Sequence, residues 1–352
     1  ADAGINTRVE AFLDIIQRYI TLGIKDPEEQ PFTPASVKEM DGDWLYKDSD
    51  GNECSFHDPS VKILVPSMGH FTADLSAAAF RGMGYNAEPI RIADFPTLML
   101  GRANTSCKEC IPLILTTAGL LDYVQTRRKP GEKVAFFMPG ATGSCRLAQY
   151  TTFQRKLINK KHLREVALFN LQSEDSYKGM SVPQQILVMK AIIAADTLDE
   201  IRNAILVLPE DKDEAMRVFE NYYKGIVESL ENGGKGFYKA VKKMSKALSE
   251  LKLRFPIEEA KKVLLDGEIY VRKDEFTTQG LVKRLAKKDI KTVRAPLMEW
   301  IMFISYNASF LQRRKVYASV KLTALIQSWI IHNLEKSTKK QLGKSGLYEP
   351  CL

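Results

Sequence analysis

Three cysteines carry the clearest chemical signal in this sequence. Cys107 and Cys110 form a C-x-x-C pair, and Cys145 follows 35 residues after Cys110. Thiolates ligate metals, so the placement is compatible with an iron–sulfur cluster or with a zinc site completed by a residue such as His70. It is equally compatible with a redox dithiol formed by the first two cysteines, or with inert buried thiols. Spacing alone leaves these interpretations open.

The segments around the cysteines predict loops at one edge of a parallel sheet. Apolar runs that alternate with helical patterns are typical of βαβ units. Cys107 and Cys110 precede one predicted helix, and Cys145 starts the next. Binding sites in such sheets form outside the carboxyl ends of the strands, where helix N-termini present free N–H groups. The predicted strands lie at residues 62–66, 88–92, 134–138 and 166–171, and the predicted helices at 72–81, 111–127 and about 146–158.

Four residues near this edge are further site candidates. We predict that Gly143 and Ser144 let the backbone approach closely and donate N–H groups to sulfur. Arg146 is placed to offset the charge of a bound cluster, although a generic surface arginine fits equally well. His70 follows the first predicted strand of the sheet, where it either contacts a substrate or cluster or serves as a surface or capping histidine.

The chain divides into four predicted regions. They are an N-terminal helix and connector (1–60), a cysteine-bearing α/β domain (61–180), a helical subdomain (181–255), and a second α/β unit with a basic helical tail (256–352). The predicted fold class is therefore α/β, with Rossmann-like parallel-sheet units, a helical insertion and a basic helical C-terminal segment. The helical subdomain shows four helical patterns, at 183–195, 198–206, 212–231 and 237–253.

The charge distribution bears on the choice of partner. The 51 basic and 43 acidic residues give a net charge of +8, and residues 281–350 hold 14 Lys and Arg against 4 Asp and Glu. Such a bias suits nucleic acid or an acidic partner, but the lysines alternate with apolar positions at helical spacing. This favours a solvated helix face, and we do not expect nucleic-acid binding.

Targeting signals are not apparent in the sequence. No stretch is long and apolar enough for a membrane span, and the N-terminus does not resemble a secretory signal. We therefore expect a cytoplasmic protein without membrane attachment. The chain starts with Ala1 rather than methionine, so we expect a processed chain or part of a longer polypeptide.

Both cysteine-bearing blocks, GRANTSCKECIP at 101–112 and FMPGATGSCRLAQY at 137–150, resemble a known family. The resemblance is to the 2-hydroxyacyl-CoA dehydratase D-component-like region of the large CoA-dehydratase activase-related proteins, and double-cubane cluster proteins are similar too. Blocks at 267–274 and 295–300 look like two more segments of that region. Glu268 and Arg272 both lie in the 267–274 block, and we predict that they form a structural ion pair.

The resemblance implies an iron–sulfur cofactor, [4Fe–4S] or larger, with Cys107, Cys110 and Cys145 as ligands. One iron would then be open to a substrate, with Ser144 or His70 as neighbouring groups. It also implies an acyl-CoA substrate and low-potential electrons from an ATP-hydrolysing activase. No Gly-rich phosphate-binding motif is visible, so ATP would act only through a partner domain or chain. We expect an oligomer or part of a larger polypeptide; the alternative is a non-catalytic electron-transfer or scaffold module.

Overall fold

A four-stranded parallel sheet forms the centre of the protein. A computed structural model describes residues 2–23, 32–40, 42–106, 108–140, 145–172, 179–303 and 318–350. Its strands are β4 (Val61–Val65), β5 (Asn86–Pro89), β6 (Lys133–Gly140) and β7 (Val166–Gln172), in the spatial order β5-β4-β6-β7, and Ile63 of β4 lies beside Ala135 of β6. The chain passes from β4 to its neighbour β5 on one side and then to β6 on the other side of β4. The topological switch point therefore lies between β4 and β6.

The described elements alternate between strands and helices, as the sequence predicts for an α/β protein. The strands are β1 (Ser36–Met40), β2 (Asp43–Lys47), β3 (Glu53–Ser55), β4 (Val61–Val65), β5 (Asn86–Pro89), β6 (Lys133–Gly140), β7 (Val166–Gln172), β8 (Lys261–Leu265) and β9 (Ile290–Arg294). The helices are α1 (Asp2–Thr21), α2 (His70–Gly82), α3 (Phe95–Ala103), α4 (Ile111–Thr126), α5 (Tyr150–Lys160), α6 (Val182–Ile205), α7 (Lys212–Glu231), α8 (Phe237–Ser249), α9 (Ile269–Lys273), α10 (Leu281–Ala286), α11 (residues 297–303) and α12 (Ala318–Gly343). The α/β fold class is confirmed.

Both faces of the central sheet are covered, which explains why its strands are almost uniformly apolar. On one face, Leu64, Phe136 and Val166 pack against residues of α4 and α5. On the other face, Ile63 and Phe169 belong to a cluster that includes α2 and the antiparallel sheet β1-β2-β3. Successive residues along a strand therefore belong to two different hydrophobic cores.

Helix α2 joins the sheet to a layer of helices. Its residues Ala73 and Ala77 face the sheet cluster, whereas Phe71 and Leu75 belong to a second cluster with α6, α7 and α8. A helix that is apolar on both sides is buried between two layers. The region predicted as a helical insertion thus packs directly on the cysteine-bearing unit.

Helix α6 differs from its prediction, because it is one continuous helix where the sequence suggested a break after residue 195. The predicted break lies at Asp196 and Thr197, yet Asp196 is buried, as is Asp199 three residues later. The Asp196 carboxylate accepts a hydrogen bond from Lys273 Nζ at 2.7 Å, and both side chains are only 3% exposed. Arg294 Nη1 donates to Asp199 Oδ1 at 3.0 Å. These partners come from α9 and β9, about 70 to 100 residues along the chain, so local patterns could not reveal them.

Other differences are smaller. The sequence did not predict the short helices α3 and α9. The region predicted as an N-terminal helix and connector also contains the antiparallel sheet β1-β2-β3. None of the helices in the described part of the chain combines the length and apolarity that a membrane span requires.

The buried carboxylate of Asp196 generates a stability prediction. Asp196→Ala leaves the Lys273 ammonium without its closest partner and removes the acceptor for the N–H groups of Leu297 and Met298. We expect a loss of about 3–5 kcal/mol in the free energy of unfolding, measured by urea denaturation. The control is Arg217→Ala, which breaks an exposed pair with Glu214 and should cost about 0.5 kcal/mol or less. Equal losses in the two variants would contradict the prediction.

Candidate functional site

A largely apolar cavity of about 240 Å³ lies at the carboxyl edge of the central sheet. Its floor includes Val65 at the end of β4, Met138 of β6 and Leu171 of β7. Strands β4 and β6 flank the topological switch point, where ligand sites of open parallel sheets form. Helices α2, α4 and α6 contribute further wall residues. The fold therefore places its cavity at the edge to which the sequence assigned the cysteines.

Cys110 and Cys145 both lie at this edge, each as the residue that precedes a helix. Cys110 is the N-cap of α4, whose first turn contains Pro112, and its side chain is half-buried. Cys145 precedes the short 3₁₀ helix Arg146–Gln149 that leads into α5, and it is exposed and lines the cavity. Leu147 N–H points at Cys145 Sγ over 3.5 Å. Free N–H groups at such positions favour a negatively charged sulfur.

Tyr150 contacts Cys110. It lines the cavity, is buried, and its hydroxyl lies 2.8 Å from Cys110 Sγ. Burial, the hydrogen bond to Cys110, and the charges of Cys110, Cys145 and Glu268 all raise the pKa of the Tyr150 phenol above its usual value. The phenol therefore keeps its proton at neutral pH and is available as a donor to the sulfur.

The two cysteine-bearing loops are tied to each other. Arg146 Nη1 donates to the Lys108 carbonyl oxygen at 3.3 Å, which links the residue after Cys145 to the segment before Cys110. Glu109 stabilises that segment, because its carboxylate accepts from Ser106 Oγ at 2.9 Å and from Lys108 N–H at 3.1 Å. The two loops, which are far apart in the sequence, are therefore in direct contact.

The far wall of the cavity comes from the second α/β unit. Glu268, Ile269 and Tyr270 approach from the start of α9, and Leu297 and Trp300 from α11. This wall comes close to the loop that follows β4. A Cβ added to Gly69 would lie 2.8 Å from the Lys273 carbonyl oxygen, and Gly69 has a φ of +80°. Only glycine fits this point without displacing the wall.

The predicted site residues are placed in different ways. Cys110, Cys145 and Arg146 are brought together as described above. His70 is exposed at the start of α2, its ring contacts Phe71, and it is not among the described residues that line the cavity. Cys107, Gly143 and Ser144 lie outside the described residues. Within the described ranges, no group of three or more His, Cys, Asp or Glu side chains forms a metal site.

Three cavity residues were not predicted as functional. Tyr150 lies in the same sequence block as Cys145, and that nearness was the available signal. Trp300 lies in the sequence block at 295–300, in which we predicted no site residue. Glu268 was predicted to pair with Arg272, and this is wrong: Arg272 Nη1 pairs with Asp266 at 2.9 Å, whereas the Glu268 carboxylate accepts from Val271 N–H at 2.8 Å and caps α9.

Comparison with protein-family models, with curated proteins and with solved structures finds no significant match to this chain. The resemblance to the dehydratase family therefore rests on the sequence motifs alone. The cavity is an observation of the structure and does not depend on that resemblance.

Thiol labelling of the metal-free protein tests the geometry. We expect maleimide to modify Cys145 before Cys110, because Cys145 is exposed, whereas Cys110 is half-buried and held by Tyr150. Cys54 serves as an internal reference, since it is half-buried and accepts from Lys133 Nζ at 3.4 Å. Timed labelling followed by peptide mass spectrometry gives the three rates. Modification of Cys110 at the rate of Cys145 would contradict the described burial.

Proposed function

We propose that this protein is an iron–sulfur redox protein related to the 2-hydroxyacyl-CoA dehydratases, in which low-potential electrons pass to a substrate bound at an open cluster iron. The observation that carries the proposal is that Cys145 lines an apolar cavity, while Cys110 lies on a loop tethered to that of Cys145 and contacts Tyr150, a second lining residue. We assign Cys110, Cys145 and Cys107 as ligands of a [4Fe–4S] or larger cluster, with Ser144 and His70 as candidates for the remaining position.

The donor set suits such a centre. Thiolates are the usual ligands of iron–sulfur clusters, and the two described cysteines lie at helix N-termini that favour negative charge. Hydrogen bonds to the sulfurs tune the potential of such centres, and Tyr150 supplies one at Cys110. When bound, the cluster would supply one-electron reduction and Lewis acidity at its open iron.

The chain's own residues have the following roles in this proposal. Tyr150 holds a proton at its hydroxyl and orients Cys110. Arg146 fixes the distance between the two loops and places positive charge near the thiolates. The apolar walls from α6 and α11 exclude water, which strengthens electrostatic interactions inside the cavity. We propose Gly143 as a further cluster-binding residue through its backbone N–H.

The electron supply and the cellular setting follow from the same proposal. An ATP-hydrolysing activase domain or subunit would deliver the electrons, and an acyl-CoA would be the substrate. A reducing, cytoplasmic compartment keeps the thiols available as ligands. A non-catalytic electron-transfer module is the alternative, but a cavity of about 240 Å³ beside the cysteines favours an enzyme that binds a small molecule.

Removal of single thiols tests the ligand assignment. Cys110→Ala and Cys145→Ala should each lose most of the iron and sulfide of the anaerobically purified protein, because each removes a ligand from one shared centre. Cys107→Ala should lose less. Total iron, zinc and acid-labile sulfide are measured for each variant.

The matched control is Cys54→Ala, which removes a half-buried cysteine next to Lys133, away from the cavity lining. It should keep the iron content of the unmodified protein. Full iron retention in Cys145→Ala would refute a shared centre. Stoichiometric zinc with no acid-labile sulfide would show that the cysteines hold a zinc ion rather than a cluster.

The contact between Tyr150 and Cys110 predicts an effect on the cluster potential. Tyr150→Phe removes a donor to a ligand sulfur, so the reduction potential should become more negative while the iron content is retained. The potential is measured by redox titration followed by EPR. Tyr238→Phe is the control, because the Tyr238 hydroxyl hydrogen-bonds with Ser337 Oγ at 3.0 Å. A shift of the same size in both variants would sink the assigned role of Tyr150.

A further inference from the structure

Helix α1 presents a large apolar surface to solvent. Every residue of α1 whose side chain the structure describes is exposed, and eight of these residues are large and apolar. Their exposed fractions range from 39% for Ile16 to 72% for Ile20. Single apolar residues on a surface are ordinary, but a contiguous group of this size marks an interaction site. The eight residues are Ile5, Val9, Phe12, Leu13, Ile15, Ile16, Tyr19 and Ile20.

The apolar residues of α1 follow the repeat of a coiled coil. Five of them recur at intervals of 4, 3, 4 and 3 residues, which keeps them on one side of the helix. This α1 seam consists of Ile5, Val9, Phe12, Ile16 and Tyr19. Leu13 and Ile20 flank the seam on one side, and Ile15 flanks it on the other. A seam with this repeat is typically buried by a second helix that has the same repeat.

A second copy of the chain supplies such a helix by symmetry. A two-fold axis brings the same surface patch of two copies together, so each seam faces an identical seam. Val9 and Ile16 each precede the next seam residue by three positions, which places them at the a position of the heptad. β-Branched residues at a are typical of two-stranded parallel coiled coils. The residue types therefore favour a pair of identical helices.

The exposed apolar area of α1 is of the size that a dimer needs. A large side chain presents on the order of 150 Å² when it is fully exposed, and the eight apolar residues of α1 are exposed by about half. A pair of copies therefore exposes about 1,200 Å² of such surface, which is the lower end of the range for specific protein–protein interfaces. An interface of this size supports a reversible dimer.

The polar residues of α1 distinguish a protein partner from a lipid surface. The described charged side chains are two arginines, Arg8 and Arg18, and two acids, Glu10 and Asp14, so their charges cancel. Asp14 pairs with Arg18 at 3.0 Å. Helices that lie on a membrane surface have polar faces rich in Lys and Arg. The balanced charge of α1 therefore favours another helix over anionic lipid.

The stability of α1 also depends on a partner. A helix of 20 residues whose described side chains are all exposed is marginal in water, so α1 needs its partner whenever it is helical. A second copy is available at the concentration of the chain itself. We infer that the α1 seam pairs with the α1 seam of a second copy, and that this contact makes the chain a reversible dimer. The inference goes beyond the proposed function and does not rest on it.

Sedimentation velocity of the full chain under reducing conditions tests the pairing. The unmodified chain should pass from monomer to dimer between about 1 and 100 µM, as expected for an interface at the lower size limit. Ile16→Asp places a carboxylate in the centre of the seam of both copies, so dimerisation should weaken by at least about 10-fold. A monomer at every concentration, or a dimer that Ile16→Asp leaves intact, would overturn the inference.

Gln17→Asp is the matched control for the added charge. It introduces the same carboxylate one residue further along, on the polar side of α1, and should dimerise like the unmodified chain. Both positions are exposed, so the fold of the monomer should be unchanged, which circular dichroism checks. Loss of the dimer in Gln17→Asp to the same extent as in Ile16→Asp would contradict a contact through the seam.

Hydrogen exchange measures the same contact at the level of the helix. Amides of α1 should be protected at high concentration and should exchange faster on dilution and in Ile16→Asp, whereas amides of β4 and β6 should not change. Equal protection of α1 in a monomeric chain would contradict the need for a partner. Cosedimentation of a monomeric chain with phosphatidylcholine–phosphatidylglycerol vesicles, abolished by Ile16→Asp, would assign α1 to a lipid surface and overturn the inference.

Discussion

The hydrogen bonds of the buried Asp196 carboxylate are the interactions on which the architecture of the site depends. It accepts hydrogen bonds from Lys273 Nζ and from the backbone N–H groups of Leu297 and Met298. One side chain in the middle of α6 therefore fixes the end of α9 and the start of α11. A buried charge is tolerated only when it is paired and hydrogen-bonded, and removal of one partner leaves the other uncompensated. This requirement holds the second α/β unit in one position against the first.

The cavity exists because of that fixed position. Its floor is the carboxyl edge of the central sheet, and its far wall is formed by Glu268, Ile269 and Tyr270 beside α11. The close approach of Gly69 to the Lys273 backbone brings the floor and the wall together. The arrangement places an apolar cavity beside Cys145 and beside Tyr150, whose phenol contacts Cys110. Such walls would keep water away from the reduction that we propose for this site.

Part of this site was predictable from the sequence for a clear physical reason. Cys145 lies between β6 and α5, and Cys110 lies in the connection that leads from β5 through α3 to α4. The carboxyl ends of parallel strands meet at one edge. Topology alone therefore predicted that the two cysteines share an edge, and the Arg146 contact with Lys108 links their loops. Tyr150 was not predicted, because its role depends on the orientation of one side chain toward a thiol 40 residues earlier in the chain. The residues of the far wall were also beyond sequence patterns, and Arg272 was assigned to the wrong acidic partner.

The sequence by itself determined the α/β class, the four central strands and most of the helices around them, because alternation and helical periodicity are local properties of the chain. Tertiary structure decided the continuity of α6. Asp196 lies at the predicted break between two helices, and its partner Lys273 comes from a distant segment, as does Arg294, the partner of Asp199. It also decided the cavity, whose walls come from segments more than 100 residues apart. Burial of charge and enclosure of space are properties of several segments packed together, and no local window of the sequence contains them.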